Sequence, residues 1–93
     1  NPPSLRMFCS RLRREKKYEQ AIELHKYQAE LSPDSPLSYE GLGRTYEAMG
    51  ELALALESFE SALEFAKKES WPDLSRFVDR IEQVQKKMNK PKQ

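Results

Sequence analysis

The sequence predicts an all-α chain made of two helix-turn-helix repeats and a C-terminal capping helix. Three observations carry that expectation. Shifted by 34 residues against itself, the chain lays Pro2 on Pro36, Leu5 on Tyr39, Phe8 on Leu42, Cys9 on Gly43, Leu12 on Tyr46, Ala21 on Ala55, Ile22 on Leu56 and Leu31 on Phe65. Apolar or small residues fall on apolar or small residues while charged positions drift, as happens when burial sets the period. Within each copy the apolar residues step at helical rather than alternating spacing. Proline and glycine then fall at the places where such helices would start and stop.

The first repeat is expected over residues 2–35. Leu5, Phe8, Cys9 and Leu12 mark its first helix; Tyr18, Ala21, Ile22 and Leu24 mark its second, with Leu31 closing it. Asn1-Pro2 reads as an N-cap followed by proline at the first helical position, where a missing N–H costs nothing. Ser32-Pro33-Asp34 reads as the break between copies. The second repeat, residues 36–69, opens in the same way on Ser35-Pro36. Gly50 follows Met49, where its first helix must stop, and a left-handed residue suits that place. Lys16 holds the equivalent position in copy one, so that turn is expected to be less favourable. Ser70-Trp71-Pro72-Asp73 punctuates again, with Ser70 read as a cap and Asp73 near the positive end of the following helix dipole.

A capping helix is expected over residues 71–88, with Leu74, Phe77, Val78, Ile81, Val84 and Met88 forming one apolar stripe opposite Arg76, Asp79, Arg80, Glu82, Gln83 and Lys87. It leaves the 34-residue template, as terminal elements of repeat stacks do. Residues 1–88 thus read as one domain and residues 89–93 as a disordered tail.

Composition narrows the function. Ninety-three residues make one small domain, and 16 basic against 15 acidic side chains give a net charge of only +1, unlike the strongly basic footprint of most nucleic-acid binders. Arg11-Leu12-Arg13-Arg14-Glu15-Lys16-Lys17 is the one basic run, but a helix scatters it around its axis and Leu12 must point inward. Nucleic acid is therefore an unlikely partner. A single cysteine makes no intramolecular disulfide and no metal-ligand spacing, so the fold needs no oxidising compartment and a cytoplasmic setting is the default. No apolar stretch approaches the roughly 18 residues of a membrane span, and no signal peptide is visible. The start at Asn1-Pro2-Pro3 suggests a processed chain or a piece of a longer one.

Copy two reads Tyr39-x2-Leu42-Gly43-x2-Tyr46, then Ala55-x3-Phe59-x2-Ala62. This resembles the tetratricopeptide repeat (TPR), with its W-x2-L-G-x2-Y and A-x3-F pattern at a 34-residue period. Tyrosine stands for tryptophan, and Lys67 stands where the closing proline would fall. Copy one keeps Ala21 and Pro33 but has His25 where an aromatic is usual. The resemblance implies a TPR-like α-α superhelix in which Gly43 and Ala55 face one another, Tyr46 and Phe59 fill the layers beside them, Gly50 makes the turn, and Phe8 and Cys9 join the core. Trp71 is expected to plug the core over the last repeat helix. Gly41 has no evident packing role, unless a ligand comes close to it.

A TPR-like array lines a concave groove with its first helices, which implies binding of a peptide or helix there without catalysis or cofactor. The exposed positions expected to line it are Arg6, Ser10, Arg13 and the adjacent Arg14 in copy one, and Glu40, Arg44 and Glu47 in copy two. Arg6 and Arg13 would grip an acidic side chain or carboxylate terminus through charge-assisted hydrogen bonds. One subclass of the family clamps acidic C-terminal tails with lysine and asparagine, but Ser10 and Gly41 stand where asparagines are wanted, which argues against that clamp. Cys9 and His25 come together between the helices of copy one; without an orienting third residue they read as packing, not as a nucleophile and its base. Two alternatives stand beside the groove: self-association, including a homodimer, because about three stacked units are usually needed for stability, and an accessory tail of a larger enzyme such as a serine hydrolase.

Overall fold

The computed structural model describes residues 5–33 and 35–90, with side chains from residue 7 onward. Five α-helices account for the fold: α1 Leu5–Arg14, α2 Tyr18–Leu31, α3 Pro36–Met49, α4 Leu52–Lys68 and α5 Ser75–Asn89. Among the described residues there is no strand, so the class is all-α. Asn1, Pro2, Asp34 and residues 91–93 lie outside the described residues, so the first cap and most of the expected tail do too.

Each helix packs against the next in the chain, and α1 also packs against α3. The molecule measures 46 × 33 × 20 Å. Its least dimension matches two helix layers, given the 8–10 Å spacing of packed helices.

Three helices end in the same way. Lys16 (φ 62°), Gly50 (φ 84°) and Ser70 (φ 55°) are the residues with left-handed backbone after α1, α3 and α4. In each case the N–H of that residue donates to the carbonyl three back, and the following N–H donates to the carbonyl five back: Lys17 to Leu12 (2.8 Å), Glu51 to Tyr46 (2.9 Å) and Trp71 to Ala66 (3.0 Å). This is the Schellman closure, which satisfies carbonyls that a helix end would orphan. Ser70 therefore belongs to the end of α4 and is not the cap of the next helix. The N-cap position of α5 falls on Leu74, with Asp73 just before it accepting at Oδ1 from the Ser75 N–H at 2.9 Å, and α5 begins at Ser75 rather than at 71. The reason is steric and local: the left-handed turn at Ser70 and Pro72 after it keep the chain out of helix until Asp73 supplies an acceptor. At Ser35 the position is as expected, with Pro36 opening α3, but the serine side chain makes no cap hydrogen bond.

The core divides into two apolar clusters under α5. Ala55, Phe59 and Val84 are fully buried with Tyr46, Leu52, Leu56 and Ile81 around them. Ala62, Ala66 and Phe77 form the second, with Tyr39, Leu63, Trp71 and Leu74. Trp71 meets Phe77 edge to face at 5.4 Å, and Tyr39 stacks on Phe65 at 5.0 Å, both within the range in which rings gain beyond their buried area. In α5 the inward row is Phe77 and Val84, whereas Val78 and Met88 at the edge of the predicted stripe stay exposed.

Glycine explains how closely the layers approach. A Cβ on Gly43 would lie 2.6 Å from the Phe59 ring, so Phe59 packs directly on Gly43. Gly41, expected to be without a packing role, has an equivalent one: a Cβ there would lie 2.2 Å from His25 Cε1. The imidazole sits against one side of α3 as the phenyl ring does against the other, two residues on, which is why a histidine takes the aromatic place in copy one. Cys9, Leu12, Ala21 and Leu42 are buried, as expected, but Phe8 is 44% exposed. It lies on α1, which packs chiefly against α2 and less against α3.

Candidate functional site

The residues predicted to line a groove lie on α1 and α3, and the structure brings most of them to one open depression together with α5. Its volume is about 430 Å³, and its walls are Arg13 and Arg14 from α1, Arg44, Glu47 and Ala48 from α3, and Arg80, Gln83 and Lys87 from α5. The side chain of Arg6 lies outside the described residues.

Helical geometry explains the convergence. Ser10 and Arg13 on α1, Glu40, Arg44 and Glu47 on α3, and Arg76, Arg80 and Gln83 on α5 each follow offsets of three and four, which keeps a row on one helix face. The α5 row was legible only as the solvated side opposite an apolar stripe. Its signal was the match of spacing and charge: Arg76 lies 36 residues beyond Glu40, as Arg80 does beyond Arg44.

Glu40 is not an exposed groove residue. Its side chain is 5% exposed, and Arg76 holds it with two hydrogen bonds, Nη2 to Oε1 at 2.7 Å and Nε to Oε2 at 3.1 Å. The two-pronged geometry suits a planar guanidinium. Glu47 is likewise engaged, accepting from Lys87 Nζ at 2.7 Å. Both carboxylates of α3 thus tie it to α5, and burial of Glu40 follows because a desolvated charge must be paired.

On the α1 side, Arg13 is fixed rather than freely solvated. Its Nη2 donates to Ser10 Oγ at 3.1 Å, and its Nη1 lies 3.4 Å from His25 Nε2. His25 Nδ1 lies 3.0 Å from Gln28 Oε1, which can only accept. The proton of the neutral ring therefore sits on Nδ1, and Nε2 is left to accept from Arg13. Burial, above all, pushes the His25 pKa down; the Gln28 hydrogen bond opposes this, and the charges of Arg13 and Arg44 add to it. Arg13 is itself lowered, by burial first and then by the charge of Arg44, though an arginine stays cationic at neutral pH.

Among the described residues the depression therefore carries five cationic side chains and one carboxylate, Glu47, which Lys87 already holds. Cys9 lies beneath this face as a fully buried thiol whose pKa burial raises, opposite to the activation a nucleophile requires. Among the described residues no three metal-ligating side chains gather, and no helix is long and apolar enough to cross a membrane. Comparison with protein-family models, with curated proteins and with solved structures finds no match for this chain.

Proposed function

We propose that the chain is a non-enzymatic protein-interaction module, two TPR-like hairpins closed by α5, that receives an extended acidic peptide of a partner on the face made by α1, α3 and α5. The observation that supports this most is the convergence of one side-chain row from each of three helices on a single open, arginine-rich depression. A packed core does not require it, because like charges on facing helices oppose folding. Among the described residues, the two carboxylates of α3 are committed to α5: Glu40 to Arg76 and Glu47 to Lys87.

The test is a titration of pooled short fluorescent peptides, acidic, basic and apolar, at two salt concentrations, against the chain and an Arg14→Ala/Arg80→Ala variant. Neither side chain takes part in an ion pair or hydrogen bond found among the described residues, so the variant removes charge without loosening the core. Acidic peptides should bind, more weakly at high salt, and lose most of their affinity in the variant. Silence from every peptide would sink the groove reading.

One observation favours a second reading. Met7, Phe8, Tyr27 and Leu31 of the first hairpin are 64%, 44%, 53% and 63% exposed. Apolar exposure of that kind at one end of a helical stack supports association with another chain or a further repeat. A mass from light scattering that stays at one chain across a dilution series would remove self-association.

A further inference from the structure

We propose that the depression between α1, α3 and α5 is a phosphoryl site, which takes the dianionic side chain of a phosphoserine or phosphothreonine in the partner's peptide. This rests on the peptide-groove reading above and adds the chemistry of the group recognised.

Charge is the first argument. A single carboxylate would leave most of the positive charge of Arg13, Arg14 and Arg80 unmatched, whereas a phosphomonoester brings about −1.5 to −2 and three acceptor oxygens. The proton affinity of Arg13 is in keeping with this crowding: burial lowers it first, then the charge of Arg44, and after an opposing contribution from Cys9 that of Arg80, with Glu40 acting in the other direction. Side-chain type is the second. Four of the five cations are arginines, whose planar fork matches phosphate oxygens in pairs, and α1, α3 and α5 supply them from three directions. Rigidity is the third: Ser10 and His25 hold Arg13, so part of the ordering cost is met before a ligand arrives.

The same features select a peptide over a nucleic acid. Among the described residues no aromatic side chain lines the depression, so bases find no surface there on which to stack. The basic cluster is also bounded: the adjoining depression pairs Glu40 and Asp79 with Arg76 and Arg80, so its charges balance and it offers no continued basic track for a run of phosphates.

The experiment uses the full chain and degenerate peptide libraries with a fixed central phosphoserine, glutamate or serine, read by fluorescence anisotropy. A single-stranded oligonucleotide serves as competitor, and amide chemical shifts are followed during titration with inorganic phosphate and with acetate. The phosphoserine library should bind about tenfold or more tighter than the glutamate library, a difference of about 1.4 kcal/mol. Arg80→Lys, which keeps the charge but loses the fork, should forfeit most of that preference, with the thermal melt unchanged. Inorganic phosphate should shift amides around Arg13, Arg44 and Arg80 where acetate does not. Equal binding of the phosphoserine and glutamate libraries would overturn the phosphoryl assignment while leaving the peptide groove standing. Phosphate shifts at the cluster without binding of any library would leave an anion site and overturn its peptide ligand. Competition by the oligonucleotide as strong as that of the phosphopeptides would overturn it in favour of nucleic acid, and no response to any probe would overturn both readings.

Discussion

At the scale of single residues, the junction of α1, α2 and α3 turns on the contact between Gly41 and His25. Adding a methyl group at Gly41 removes a helix-interior glycine, a gain of about 1 kcal/mol, but drives a Cβ into an imidazole held at both nitrogens by Arg13 and Gln28. Overpacking of that kind costs about 1–3 kcal/mol, so the clash should win and Gly41→Ala should lower stability in a urea melt. His25→Ala opens the space the methyl needs, and the double variant should therefore be less destabilised than the two single effects predict together. Additivity would show that the ring swings away freely. Acid should act on the same ring. Its ordinary pKa is 6.5 and its folded value is lower, so between those two values the unfolded chain binds a proton that the native state refuses. Stability contributed by the neutral ring should be present above pH 6.5, decline as the pH falls through that value, and level off below the folded pKa. The groups facing the imidazole are Arg13, Arg44 and Gln28, none of which titrates in that window. Thermal melts from pH 7.5 to 5.5 should fall for the wild type and stay flatter for His25→Phe; parallel curves would sink the assignment.

At the scale of elements, the shared closure of α1, α3 and α4 sets a prediction of its own. Gly50 takes φ 84° without penalty, whereas Lys16 at φ 62° carries a Cβ in the left-handed region, which costs roughly 1–2 kcal/mol. Lys16→Gly should therefore raise stability by about 0.5–1 kcal/mol, part of the relief being offset by the greater freedom of glycine in the unfolded chain. An unchanged or lower denaturation midpoint would count against the closure as described. The Lys16 turn was readable from sequence because it lies one 34-residue period before Gly50. Ser70 was not, because it lies outside that period, and a serine before an aromatic and a proline looks like a start rather than a stop. Helix existence and the repeat register were legible for a general reason: burial fixes both, and burial leaves a period. The working face was only half legible. Arg13, Arg14 and Arg44 stood out, but Arg80 and Lys87 seemed to belong to a solvated side, because α5 leaves the 34-residue period. Glu40 looked exposed for the same reason, since its burial depends on Arg76 arriving from a helix 36 residues away.

At the scale of the whole molecule, α5 completes both the core and the candidate site, so its removal should not be a local event. Phe77 and Val84 are fully buried in the two clusters, and burying side chains of this kind contributes roughly 1.5–3 kcal/mol each. A domain of this length has about 5–14 kcal/mol of total stability at 0.05–0.15 kcal/mol per residue. Loss of those two side chains alone therefore takes a large share of it, before counting the newly exposed faces of Phe59, Ala62 and Ala66 or the unpaired carboxylates of Glu40 and Glu47. A chain ending at Ser70 should lose its cooperative thermal transition in circular dichroism. Extending it to Asn89 should restore that transition, because the inward face of α5 is then in place. A sharp melt retained by the shorter chain would mean that α1 to α4 hold together unaided. In that case α5 would be a detachable wall of the depression, and the face that gathers Arg13, Arg44 and Arg80 would itself become a movable part.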